Sequence, residues 1–322
     1  MAKRTQNNDL FRSAADIEAD TPISVGVTTV GPEGFLAFQP MSLLDWASNF
    51  PIKDMKRLKF SLPGGRSDAE AVLGFFGVDS PQHWQSALPA ASLALRQTQV
   101  LNARSEAVTA WVREAEIVAS QIPLVDYDEA KLRSSLTELR GLTREQFDIA
   151  IEKAQVICSH VGVALVIVPE LPGTRLSGCT RWLSDTHVLV GLTTRYKKDD
   201  QLWFTFFHEI GHVLLHRERL SFVVDNAAEY ISDDVVDSGM SFYEDEANQF
   251  AADTLIPPAA LTNFLDLHGE TLTNDEIHNF AESIGVGPGI VVGRLQRDKV
   301  LEWHQGNALK QTVDWGFAEE EY

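Results

Sequence analysis

Two histidines and a glutamate stand in the spacing His208-Glu209-Ile210-Gly211-His212. Side chains four apart on a helix are neighbours, with Cβ atoms about 5–6 Å apart, so both imidazoles can converge on one divalent metal at about 2 Å each. Glu209 is rotated off the histidine axis toward the metal's open coordination position. There it can take a proton from a metal-polarised water and pass it to a leaving amine. Trp203, Phe204, Phe206, Phe207, Ile210, Val213, Leu214 and Leu215 surround the motif, as a buried helix carrying a metal requires and an exposed chance match would not show.

A catalytic zinc takes three protein ligands and keeps a fourth position open, so one ligand is missing. The stretch from Tyr243 to Ala252, ahead of Pro257-Pro258, offers Glu244, Asp245 and Glu246. At about 100° per residue, Glu244, Ala247, Asn248 and Ala251 share one face, while Glu246 and Phe250 point elsewhere. A carboxylate among alanines meets the interior and needs a cationic partner. Glu244 is the expected third ligand, with Glu246 the alternative, and Asn248 one turn on is placed to orient a histidine ligand.

The elements that must position these groups follow from pattern. Residues 43–121 read as helical, Pro123 ends that block, and a second helix spans 144–160. Val163 to Val168 reads as a buried strand closed by Pro169, and residues 180–183 and 187–192 as two more. The metal helix and the ligand helix come next, an α+β, zincin-like layout with a small antiparallel sheet, preceded by a mostly helical N-terminal domain. The expected divisions are a poorly ordered segment over 1–40, rich in polar residues, Gly and Pro; a helical partner-binding domain over 41–122; the metal domain over 123–305; and a C-terminal tail over 306–322.

The run Asp200 to His212, with Glu244-x-x-Ala247-Asn248-x-Phe250-Ala251-Ala252 and Pro257 after it, resembles the ImmA/IrrE family of metallopeptidases. Leu171-Pro172, Ser177 to Leu183, and Gly285 to Gln296 extend the likeness over roughly 140–300. The resemblance implies zinc-dependent proteolysis of a regulatory partner such as a helix-turn-helix repressor or an antitoxin, in a stress, phage or toxin-antitoxin circuit. Leu44 to Met55 and Ala71 to Val78 are similar to the linker of longer proteins in which a HigA-like DNA-binding domain precedes this peptidase. Residues 1–40 show no run of short amphipathic helices, so the resemblance is to the peptidase portion without that domain.

A formal net charge of -19 over 322 residues argues against direct nucleic-acid binding, which relies on Lys and Arg, and favours a basic protein partner. No segment has the roughly 18 apolar residues of a membrane span, and no signal core follows Met1, so a cytoplasmic protein is expected. Cys158 and Cys179 are the two cysteines, too few for a disulfide framework. Cys158 reads as a buried thiol; Cys179 as a strand-packing residue or a latent metal ligand.

Several residues have an ordinary reading beside a chemical one. His216 is a helix C-terminal histidine or a fourth ligand. His187, Tyr196, Tyr230 and Tyr243 are each packing or surface residues or the donor that stabilises an oxyanion. Asp233-Asp234-Val235-Val236-Asp237 is a solvated loop or a partner-docking one. Two functions are compatible with the whole: a zinc endopeptidase, with manganese as the alternative metal, or a non-catalytic antitoxin or sensor that sequesters a toxin or transcription factor. A purely structural zinc has no use for Glu209, which favours the enzyme.

Overall fold

The computed structural model describes residues 29–30, 36–37, 42–86, 104–216, 222–225, 240–269 and 271–315. Two compact units emerge, Met1–Ile52 with Leu62–Ala87, and Lys53–Ser61 with Leu88–Tyr322. The expectation of poor order over 1–40, and the helical pattern at 91–96, fall almost wholly outside the described residues.

In the smaller unit, two-residue strands β1 (Thr29–Val30) and β2 (Leu36–Ala37) pair antiparallel. Helices α1 (Leu43–Ser48), α3 (Asp68–Phe76) and α4 (Pro81–Ser86) follow, with α2 (Ile52–Arg57) passing into the larger unit. Ser42 and Ser67 cap α1 and α3 by accepting the backbone N–H groups of Asp45 and Glu70, which satisfies donors that a helix start leaves unpaired. Gly77 ends α3 in the left-handed conformation at φ 67°, where a Cβ would be strained. Trp84 meets Trp46, Phe50 and Phe76 edge to face, and Phe50 lies 5.0 Å from Trp46 and 5.2 Å from Trp84 between ring centres. This part of the expected helical N-terminal region is helical.

The larger unit runs α5 (Ser105–Ala119), α6 (Glu129–Gly141), α7 (Phe147–Ser159), β3 (Val163–Val168), β4 (Gly178–Trp182), β5 (Val188–Thr193), α8 (Asp199–Leu215), β6 (Phe222–Asp225), α9 (Met240–Leu255), α10 (Pro258–His268), α11 (Asn274–Ile284) and α12 (Pro288–Arg297). The fold is α+β. The strands lie in the order β3-β5-β4-β6.

The sheet expected to be antiparallel is mixed: β4 is antiparallel to both β5 and β6, but β3 runs parallel to β5. The topology accounts for it. The chain turns back after β3, β4 and β5 form a tight hairpin closed by Leu183 N–H on His187 O at 2.9 Å, and the second strand of that hairpin takes the place beside β3. Every residue of β5 is buried, as for a strand covered on both faces. One face carries α5, whose Trp111 lies so close that a Cβ on Gly191 would sit 3.2 Å from the indole and 3.0 Å from Cys179 Sγ. The other carries α7 and α8, with Ile151, Ala154, Phe206 and Ile210 packed against Val163, Leu165, Val188 and Val190 in one core.

Two expected boundaries therefore move. The helix over 105–119, assigned by its pattern to the N-terminal domain, is a layer of the sheet unit. Ser61 also belongs there, donating through N–H and Oγ to Glu114 at 2.8 and 3.0 Å. At the other end, residues 306–315 pack as part of the body and do not form a tail. Thr312 bridges Lys198, Val313 N–H donates to Lys197 O at 3.0 Å, and Trp315 Nε1 donates to Tyr196 O at 3.3 Å.

Candidate metal centre

Helix α8 is buried on nearly every side, from Asp199 and Asp200 in its first turn to Leu214 in its last. A helix wrapped in core can carry polar groups only where other elements answer them. The answer comes from α9, and the contact between the two depends on small residues. A Cβ on Gly211 would lie 3.1 Å from Phe250 Cδ1 and 3.2 Å from Ala247 Cα, so the second free position of the motif needs glycine for helix–helix approach. Glu244, Ala247 and Ala251 are all buried, the face the alanines mark in the sequence.

That approach brings one ligand atom each from His208, His212 and Glu244 to within 4.8 Å of one another. His208 Nε2 and His212 Nε2 are 2.9 Å apart, and Glu244 Oε2 lies 3.2 Å from the first and 3.6 Å from the second. Ligand atoms about 2 Å from a tetrahedral centre sit about 3.3 Å from each other, so the three separations suit a zinc-sized ion. The chemistry of the set agrees. Both Glu244 carboxylate oxygens are buried and accept no well-aligned hydrogen bond, a costly state for an anion without a cation. Burial pushes the Glu244 carboxyl up, but contact with His208 and then His212 outweighs it and holds the group at about 2. Burial pushes the His212 imidazole down to about 4, leaving it neutral, the form that ligates a metal.

Each imidazole turns its other nitrogen to a protein group. His208 Nδ1 lies 3.0 Å from Asn248 Oδ1, the orienting contact expected of Asn248. His212 Nδ1 lies 2.9 Å from His216 Nδ1, and His216 Nε2 lies 3.2 Å from Glu246 Oε2. Glu246, the alternative ligand, is thus outside the cluster and on His216, and His216 is beside the cluster without joining it. The step of four that links His208 to His212 recurs at His216, and that spacing was the available sign.

Glu209 is fully buried beside strand β4. Thr180 Oγ1 donates to its Oε2 at 2.6 Å, and a Cβ on Gly178 would come within 2.6 Å of its Oε1. Gly178 and Thr180 are on the strand face that meets α8, two residues apart, and neither is distinguishable by type in the sequence. Cys179 between them faces the other way, toward Gly191 and Trp111. Its thiol is raised well above the usual range by burial and then by the charge of Glu209, and it is not in the metal-sized cluster. Cys158 is a buried thiol pushed up to about 12 by burial.

Of the four candidate oxyanion donors, Tyr243 stacks edge-on with His216 at 5.0 Å between ring centres, beside the cluster. Tyr196 shares a hydrogen bond with Ser177 at 3.0 Å, and His187 lies 4.0 Å from Asp126. Tyr230 and the acidic run Asp233 to Asp237 lie outside the described residues. Among the described residues no helix is long and apolar enough to cross a membrane.

Residues 185–296 match the family model Peptidase_M78, the IrrE N-terminal-like domain. The match begins just before β5 and ends in α12, enclosing both α8 and α9. No curated protein matches the chain. Over residues 185–296 the chain is therefore similar to the ImmA/IrrE-type metallopeptidases, a metal-dependent family, and its His-His-Glu group could hold such a metal.

Proposed function

We propose, with an ImmA/IrrE-family metallopeptidase domain as the premise, that the chain is a zinc-dependent endopeptidase whose substrate is a regulatory protein. The observation that carries this is the convergence of His208, His212 and Glu244, with Glu209 on the same helix as the two histidines and held by Thr180. His208, His212 and Glu244 would hold a divalent metal, which would supply Lewis acidity toward a peptide carbonyl and lower the pKa of water. The chain's own residues supply the rest. His208 and His212 present Nε2, with His208 oriented by Asn248. Glu209 accepts the proton of the attacking water and delivers it to the leaving amine. Tyr243, beside His216, is the candidate for the oxyanion donor.

The substrate class follows from charge and from the family. With a net charge of -19, the protein attracts basic partners at long range, and a small DNA-binding regulator has that character; an antitoxin is the alternative that the family likeness offers. Of the region 41–122 expected to bind a partner, the part in the smaller unit, described over 42–52 and 62–86, lies outside the family match and is the candidate partner-recognition element. An extended segment of the substrate adds to the sheet at the β6 edge. Direct DNA binding is not part of the function, and the site of action is the cytoplasm.

The test is a substrate trap. Glu209→Gln is expressed in the native host, its bound proteins are identified by mass spectrometry, and the same proteins are followed in cells carrying wild type. A partner that is shortened by wild type and captured intact by Glu209→Gln supports proteolysis. A partner held equally by both, with no fragment and the same regulatory output, overturns it in favour of a non-catalytic antitoxin or sensor.

A further inference from the structure

We infer that His216 and Glu246 form a polar relay that fixes the proton of His212 on Nδ1 and thereby keeps its Nε2 lone pair directed at the metal. This rests on the proposed metal-site reading, and it concerns residues to which that reading gives no role. Two arrangements of protons are compatible with the His212 Nδ1 to His216 Nδ1 contact at 2.9 Å. In one, His212 donates and His216 accepts; in the other, the donation reverses, His212 carries its proton on Nε2, and it has no lone pair for a metal.

Glu246 selects between them. A carboxylate is an acceptor only, and its Oε2 lies 3.2 Å from His216 Nε2. The proton of neutral His216 is therefore on Nε2, and its Nδ1 lone pair is left to accept from His212. Reversal would set the Nε2 lone pair against the Glu246 oxygens. His216 is 2 % exposed, so water does not compete for its nitrogens, and the ring of Tyr243 packs against it at 5.0 Å. The outcome parallels His208, whose Nδ1 faces the carbonyl oxygen of Asn248 at 3.0 Å. Both ligands are oriented by an acceptor supplied by α9, one directly and one through a second imidazole.

The probe is zinc itself, measured by competition with a chromophoric chelator and needing no substrate. Losing a partner of this kind costs on the order of 10–100-fold in metal affinity, and we expect losses in that range for His216→Phe, which keeps the ring against Tyr243. Glu246→Lys presents a donor to His216 Nε2 and should weaken zinc comparably, whereas Glu246→Gln, able to turn its carbonyl to the same proton, should lose less. Asp245→Lys is the control for charge alone, an exposed neighbour with the same change. Glu246 is 43 % exposed at the side chain, so its variants carry the test even where His216→Phe fails to fold. Long-range proton–nitrogen spectra of the zinc-loaded protein should show the proton on His212 Nδ1 and on His216 Nε2.

Wild-type affinity in Glu246→Lys, an equal loss in Asp245→Lys, or a proton on His216 Nδ1 overturns the relay. Glu244→Ala runs alongside. Full zinc retention there sinks the metal-site reading itself, while loss there with no loss in the Glu246 series sinks the relay only.

Discussion

Helix α8 meets a buried carboxylate near each end, and the two are treated oppositely. Near its C-terminal half, Glu244 faces His208 and His212 and is held at about 2 in spite of burial. At its first turn, Asp199 is pushed up to about 7, by burial first and then by the charge of Asp200. Asp200 has a cation, Lys310 Nζ at 2.7 Å, which also donates to Gln296 Oε1 at 2.7 Å. Asp199 has the backbone N–H of Gln311 at 2.9 Å. Burial raises the cost of a carboxylate at both ends; the groups facing it decide whether the anion is kept. One end keeps its anion in a cluster that could hold a metal, the other joins the helix to residues 310–311.

The sharpest way to break this contrast is to remove the anion's partners at the metal end. His208→Ala and Glu244→Ala should each bring zinc, measured by mass spectrometry on purified protein, well below one per chain. Stoichiometric zinc in Glu244→Ala with loss in Glu246→Ala would assign the site to the carboxylate that the structure places on His216.

Glu209→Gln should be the next largest effect and of a different kind. The side chain stays the same size, and zinc content should remain at one per chain, because the three ligands do not include Glu209. Peptide hydrolysis should fall on the order of 10²–10⁴-fold, the usual contribution of a positioned general base. Loss of zinc with activity would make Glu209 a ligand-shell residue and undo the division of roles.

Thr180→Val tests the support of that base and should cost less, on the order of 10-fold in kcat with KM little changed, since one hydrogen bond to a charged group contributes about 1.5–3 kcal/mol at most. Thr180→Ser should restore it. A failure of serine to rescue would show that Thr180 matters through packing and not through its hydroxyl.

What the sequence made legible was chemistry confined to one helix. His208 and His212 stand one helical step of four apart with Glu209 between them, and Glu244 announces itself by the alanines that share its face. α5, α7 and β3 were readable from periodicity within a few residues, whereas α6 and β6 were not read at all. Which layer α5 joins was not, because Trp111 over Gly191 is a contact between segments whose patterns are each complete alone. The parallel pairing of β3 with β5 was hidden for a similar reason: apolar strands buried on both faces carry no mark of direction. Gly178, Gly211 and Thr180 matter through what a Cβ or a hydroxyl meets in space. Asp199 and Asp200 are by type ordinary first-turn acids, favourable at a helix start, so nothing marks them as buried, and Lys310 lies far along the chain.

The smallest expected effect is at that end, and its sign separates it from the metal end. A carboxyl raised to about 7 in the fold from about 3.9 in the unfolded chain binds more proton folded than unfolded between those values. By linkage its contribution is fully present below the unfolded pKa and is lost as pH rises through the folded one. Asp199→Asn removes the titration and keeps an oxygen for the Gln311 N–H. In metal-free protein, where zinc release cannot intrude, the variant's stability relative to wild type should therefore climb between about pH 4 and pH 7 and level off above. The full shift sets an upper bound of about 4 kcal/mol, and relaxation of the surroundings around the charge reduces the expected gain to about 1–2 kcal/mol. Urea denaturation at intervals from pH 4.5 to 8 reads this directly. A difference that stays constant with pH would mean that Asp199 is ionised throughout, like Glu244, and that the two ends of the helix keep their anions by the same means.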